Sequence, residues 1–197
     1  MKFEDYRRLV YSDLYRKTGQ CHVFAIFREV LIGGNAFQYL FWMRTCRFVK
    51  EAGPIIQILL YPITKLMLRR AGFKFGISIP PDAEIGAGFY IGHFGGIIIS
   101  SRCRIGANCN ISQGVTLGKA NRGKHQGFPV LGDNVYLGPV AKVVGGIQIG
   151  NNVAIGANCV VTQDIPDNAV VVGIPGKVIS MNGSQGYINR TDYDQHL

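Results

Sequence analysis

Aliphatic side chains recur every six residues through the middle of this chain. They are Ile85 and Ile91, then Ile99, Ile105, Ile111 and Leu117, then Leu131, Leu137, Val143, Ile149, Ile155 and Val161. A glycine follows many of them, as in Ile105-Gly106 and Ile149-Gly150. An α-helix repeats every 3.6 residues and a strand every two, so neither explains this beat. Fixed-period self-similarity marks a repeat architecture, and a period of six predicts a parallel β-helix with three short strands per coil, roughly 18 residues. The ladder starts at Ile77 and predicts four to five coils within residues 75–180. Positions four residues after a beat aliphatic hold Val135, Ala141, Val153, Cys109 and Cys159. They read as small inward residues, so both cysteines are expected in the core.

The beat slips twice. Ile91 to Ile99 spans eight residues instead of six, and Leu117 to Leu131 spans fourteen. The second slip contains GKANRGKHQGFP, a glycine-rich basic stretch that predicts an extended loop over residues 118–129. Loops carried on a rigid scaffold are favoured places for function.

Residues 1–74 lose the beat and read as helical. A first segment, residues 2–17, mixes charge with Leu9, Val10, Tyr11 and Leu14 and stops at Gly19. A second, residues 23–50, is rich in Phe, Leu and Val, with a break or bend expected at Gly33-Gly34. The third opens on Pro54, suited to a helix's first turn, runs to Arg70, and is expected to kink at Pro62. Its sequence, PIIQILLYPITKLMLRR, is apolar nearly all round, yet falls short of the ~20 apolar residues a bilayer span needs. Burial against neighbouring helices or another subunit is expected, with peripheral membrane contact through residues 54–70 as the alternative. Residues 181–197 form a polar tail, expected to be loose.

Composition narrows the class. A chain of 197 residues that is 47% hydrophobic and 17% charged builds a packed core. Five cysteines without metal-ligand spacing, and a charged start (MKFEDYRRLV) leading into no apolar run, give a cytoplasmic expectation. Residues 1–74 hold 13 Lys and Arg against 5 Asp and Glu, while residues 75–197 hold 8 against 7. The basic character therefore belongs to the helices. It suits solvated helix faces or the inner face of an anionic membrane. No basic stripe interleaved with aromatics points to nucleic acid.

Four motifs, GFYIGHFGGIIIS, QGVTLGK, GPVAKVVGGIQIGNNVAIGANCVVT and VVVGIPGKV, sit on the six-residue beat. Together they resemble the bacterial hexapeptide-repeat acyltransferases, which fold as left-handed β-helices. Within that family they are similar to the serine acetyltransferase branch, and most of all to the O-acetyltransferases of capsule and exopolysaccharide gene clusters. The resemblance implies acetyl transfer from acetyl-CoA to a hydroxyl, with no metal. It implies His93, inside the first slip, as general base. An alcohol is a weak nucleophile at neutral pH, and an imidazole can take its proton as it attacks a thioester carbonyl.

Further positions follow from the same resemblance. Backbone donors at Gly118 and Lys119 would hold the oxyanion. Gly138, Ala141, Gly156, Ala157, Thr162 and Gln163 would line the groove for the pantetheine arm. Lys177, with Lys142 as a second candidate, would meet the nucleotide phosphates. Gly92, Phe94, His125 and Phe128 fall on the acceptor side, and His125 is also the rival base. A homotrimer with sites at its subunit boundaries is implied, open to doubling through the helices.

The departures bear on the acceptor. Serine acetyltransferases proper carry an aspartate directly before the catalytic histidine, where this chain has Gly92. The aspartate that orients the histidine falls at Ser78, leaving Asp82 or Glu84 as replacements. The arginine–histidine pair for the carboxylate falls at Gly127-Phe128. Free serine carries an ammonium and a carboxylate, and both need charged partners. A sugar hydroxyl in surface-polysaccharide assembly, met by Phe94 and Phe128, is therefore the expected acceptor. Serine O-acetylation for cysteine synthesis is the second reading, and a non-catalytic assembly subunit the third. A zinc enzyme of the carbonic anhydrase type is disfavoured, because only His93 and His125 lie in the repeat.

Overall fold

The computed structural model describes residues 1–197 and sets four helices before a parallel β-helix. Helix α1 (Phe3–Thr18) carries Glu4 and Asp5 in its first turn and Arg16 and Lys17 in its last, in keeping with the helix dipole. Gly19, at φ 73°, ends it as expected. Gly33-Gly34 does break the second segment, into α2 (Val23–Leu31) and α3 (Ala36–Lys50). The Asn35 side chain caps α3 by accepting from the Phe37 amide at 2.9 Å.

Helix α4 (Pro54–Phe75) passes through Pro62 and Gly72 and ends five residues beyond the expected Arg70. Leu68, Ala71 and Phe75 continue a buried stripe through that extension, which outweighs the ~1 kcal/mol cost of an interior glycine. Its first two turns are not buried within the chain. Ile55 and Ile58 are 74% and 73% exposed. No helix is long and apolar enough to cross a membrane.

Each coil contributes one short strand to each of three faces. The first face holds β1 (Ile77–Ser78), β4 (Ile97–Ile99), β7 (Thr116–Gly118), β10 (Lys142–Val144) and β13 (Val160–Val161). The second holds β2 (Glu84–Ile85), β5 (Arg104–Ile105), β8 (Val130–Leu131) and β11 (Gln148–Ile149). The third holds β3 (Tyr90–Ile91), β6 (Asn110–Ile111), β9 (Tyr136–Leu137), β12 (Ala154–Ile155), β14 (Val170–Val172) and β15 (Lys177–Ser180). On the first face Ile77 pairs with Ile97, Ile98 with Thr116, Thr116 with Lys142, and Lys142 with Val160, so successive coils take 20, 18, 26 and 18 residues. The two long coils are those with the slips. The expected left-handed parallel β-helix is present, with four full coils and part of a fifth.

The beat residues form the core, joined by Cys103, Cys109 and Cys159. At the corner between the second and third faces, Asn108, Asn134, Asn152 and Asn168 all hold left-handed φ values of 55–61°. Asparagine tolerates that conformation better than most residues. Their side-chain amides form a ladder, each donating to the next at 3.1, 3.0 and 3.2 Å.

The first coil has no coil above it, and the helices supply its polar partners. Arg44 donates to the Ile85 and Gly86 carbonyls, both at 2.7 Å, and to Asp13 at 3.0 Å. Asp13 accepts from the Phe89 amide at 2.8 Å, and Ser12 accepts from the Gly88 amide at 2.9 Å. Arg16 donates to the Gly88 carbonyl and to Asn110. Tyr39 both donates to the Ile79 carbonyl and accepts from the Ile79 amide, each at 2.8 Å.

The tail is not loose. After β15, which runs antiparallel to β14, it continues as a strap across the third face. Tyr187 stacks on Tyr136 at 4.3 Å, and Asn110 donates to the Tyr187 carbonyl at 2.7 Å. Tyr193 is buried, and Asp194 receives two hydrogen bonds from Arg8 at 2.8 and 2.7 Å. Stacked tyrosines and a charge pair bind this segment despite its polar composition, which is why pattern alone misplaces it.

Candidate active site

His93 follows β3 at the corner between the third and first faces. Backbone bonds fix that corner to the coil beneath: the Gly92 amide donates to the Ile111 carbonyl at 3.0 Å, and Gly114 to Gly95 at 2.7 Å. Gly95 and Gly96 hold φ values of 112° and 65°, which side chains rarely adopt, so the two extra residues of this coil need glycine. The bulge leaves His93 exposed at the mouth of a cavity of about 260 Å³. Gly92 and Phe94 also line it. Phe94 packs edge-on against Phe75 at 5.0 Å.

The far wall comes from the helices. Asp13 and Lys17 of α1, and Asn35, Ala36, Phe37 and Leu40 at the start of α3, face His93 across this space. Sequence reasoning missed all of them. Asp13 is almost fully buried; burial pushes its carboxyl upward, against the opposing pull of Arg44. Arg16 is also buried, and that burial lowers its guanidinium from the usual value.

Two expected orienters are elsewhere. Asp82 pairs with Lys50 at 2.7 Å and Glu84 with Arg104 at 3.0 Å, so both carboxylates are engaged away from His93. A rung residue alternates outward from the beat, and long basic neighbours on the surface capture it.

The remaining positions fall into two columns. Gly138 and Ala141 follow β9, and Gly156 and Ala157 follow β12, at the same corner as His93. Gly118 and Lys119, with Thr162 and Gln163, lie at the other edge of the first face. The two columns stand at opposite edges of the first face, with the Gln113-Gly114 turn and β7 between them.

The loop 118–129 follows the second column. It folds back rather than leaving the coil: Ala120 and Gly127 bond each other at 3.0 and 3.1 Å, and Gly146 donates to the His125 carbonyl at 2.8 Å. His125 is thereby half-buried, outside the His93 cavity. Phe128 likewise does not line that cavity. It packs on the core, with Arg102 and Lys119 at 5.6 and 5.9 Å from its ring. Lys142 is spent on structure, since its ammonium donates to the Gly114 carbonyl and to Thr116. Lys177 stays exposed on β15. No cluster of His, Cys, Asp or Glu has metal-binding geometry.

Comparison with known proteins agrees with this architecture. Residues 128–163 match the bacterial transferase hexapeptide model (six repeats), and residues 96–120 match the hexapeptide repeat of succinyl-transferase. The serine acetyltransferase of Bacillus pumilus is 40% identical over 138 residues, 70% of this chain and 63% of that protein. The chain thus spans less than two thirds of that relative's length. The solved serine acetyltransferase of Brucella abortus superposes with a TM-score of 0.73 at 22% identity, covering 93% of this chain and 72% of that one. That of Neisseria gonorrhoeae in complex with serine gives 0.69 at 25% identity, covering 90% and 70%. These names do not come from capsule or exopolysaccharide assembly, so that narrower resemblance gains no support. The chain thus carries the hexapeptide repeat of bacterial transferases over residues 96–120 and 128–163 and is similar to serine acetyltransferases in sequence and fold.

Proposed function

We propose that this protein transfers an acetyl group from acetyl-CoA to a hydroxyl of a small acceptor, with His93 as general base. The observation that carries the reading is the placement of His93, on a glycine bulge at the mouth of a cavity and at the corner that holds Gly138, Ala141, Gly156 and Ala157. The acceptor oxygen attacks the thioester carbonyl while His93 takes its proton. Backbone amides at Gly118 and Lys119 receive the oxyanion. The tetrahedral intermediate then expels the CoA thiolate, which recovers the proton from His93.

The two columns occupy opposite edges of the first face, and a neighbouring copy that brings its Gly118 edge to this His93 completes the site. A homotrimer does so three times over. The names of the relatives make free serine the first acceptor to test. The uncharged Gly92 and Gly127-Phe128 favour the second reading, a sugar hydroxyl. The exposed face of α4, with Lys65, Arg69 and Arg70, is available to a neighbouring subunit or to a membrane surface.

Release of free CoA thiol, measured across a panel of amino acid and sugar acceptors, tests the reaction. His93→Ala should lower kcat about a hundredfold to ten-thousandfold with the fold unchanged. A variant that retains full activity removes His93 from the chemistry. Acetyl transfer to no acceptor removes the enzyme reading itself.

A further inference from the structure

The wall opposite His93 carries a charge that nothing in the coil neutralises. Of the ionisable groups lining the cavity, Asp13 is committed: Arg44 meets it at 3.0 Å and the Phe89 amide at 2.8 Å. Arg44 and Asp13 are each nearly fully buried and cancel one another. Lys17 is different. It is half-buried at the cavity edge and takes part in no ion pair of the chain.

Its position is fixed from both sides. Thr18 donates to the Leu14 carbonyl at 3.0 Å, the Gly19 amide to Tyr15 at 2.8 Å, and Arg190 of the strap to the Lys17 carbonyl at 3.0 Å. Next to it, Arg16 is anchored in the third face. The end of α1 is therefore held rigidly, while the Lys17 side chain is left uncommitted.

We infer that Lys17 selects acceptors bearing a carboxylate, pairing with that group across the cavity while His93 addresses the hydroxyl. The inference rests on the acetyl-transfer reading and names its substrate class. A cavity of about 260 Å³ lies just below the ~300 Å³ where sites for drug-sized ligands begin, so the acceptor is small. A lysine ammonium is a mobile point charge, suited to a carboxylate whose position varies between ligands. A free hydroxy amino acid and a hexuronic acid share this chemistry. Both supply an anion and a hydroxyl within one small molecule. The charge missing at Gly127-Phe128 is thus restored from a different element.

Two matched pairs of acceptors separate the possibilities: L-serine against serine amide, and glucuronate against glucose, each with acetyl-CoA and free thiol as readout. The wild-type protein should favour the carboxylate member of at least one pair about tenfold or more in kcat/KM. Whichever pair shows it identifies the source of the anion. Lys17→Gln should erase most of that preference through KM rather than kcat, and Lys17→Arg should retain it. The Lys17 side chain makes no bond within the fold, so circular dichroism of both variants should match the wild type. Equal use of both members of each pair, or a preference that survives Lys17→Gln, overturns the role of Lys17 and leaves acetyl transfer standing. Failure to bind acetyl-CoA and to acetylate any of the four overturns both.

Discussion

Coils between β4 and β13 are closed above and below by copies of themselves, whereas the helices meet the coil through Asp13, Arg16 and Arg44. The first arrangement is apolar and repetitive. Leu117, Leu137, Ile155 and Val161 occupy equivalent inward positions, each with almost no exposure. The second is polar and particular, because the top coil presents carbonyls and amides that only matching side chains satisfy. Repetition yields stability wherever the coil is cut. The clasp concentrates stability in a few atoms, and one of its residues, Asp13, also lines the candidate site.

Removing one partner of the clasp should have the largest effect. Arg44→Ala leaves Asp13 buried without its ion-pair partner and strands the Ile85 and Gly86 carbonyls, so stability should fall by about 3–5 kcal/mol. Chemical denaturation followed by circular dichroism measures this. A loss below ~1 kcal/mol would show that the helices are held mainly by apolar contact. Leu137→Ala probes the other region and should cost about 2–5 kcal/mol by opening a cavity in the middle coil. Hydrogen exchange distinguishes the two variants. The leucine change should loosen neighbouring coils, and the arginine change should loosen α1 and α3 while sparing β9 to β13.

The smallest effect concerns the interior thiols. Burial pushes the Cys109 thiol from 9.0 up to about 12, and Cys103 up to about 11. The folded state thus holds these protons more tightly than the unfolded chain. That contribution is fully present below pH 9 and is lost as pH rises towards 12. Thermal midpoints should therefore decline across this interval, less steeply in Cys109→Ala. A thiol reagent should modify Cys109 only after unfolding; rapid labelling of the native protein would refute its burial.

The same contrast explains what sequence reveals. The coil was legible because an interior built from one repeated position writes its period into the chain, from Ile85 to Val161. His93 was legible as a departure from that period. The cap was not, because a charged helix residue ordinarily faces water. Asp13 did leave one trace: it stands four residues after Leu9 and three after Val10, inside an apolar stripe where a carboxylate needs a reason. Lys17 left none, since nothing local ties the end of α1 to the bulge after β3. The strap was missed for a related cause. Tyr187 and Tyr193 are spaced too widely to form a pattern, and their partners lie on distant elements.

The strap also sets an order of events. Arg8 and Asp194, which bond each other, are 186 positions apart. Helix α1 is synthesised before every element it packs on, and the last of its partners emerges after all the coils. Its final docking belongs to the slow, high-contact-order part of folding, when the coils already stand. A released chain truncated before residue 187 would hold a formed coil and an unfinished wall opposite His93.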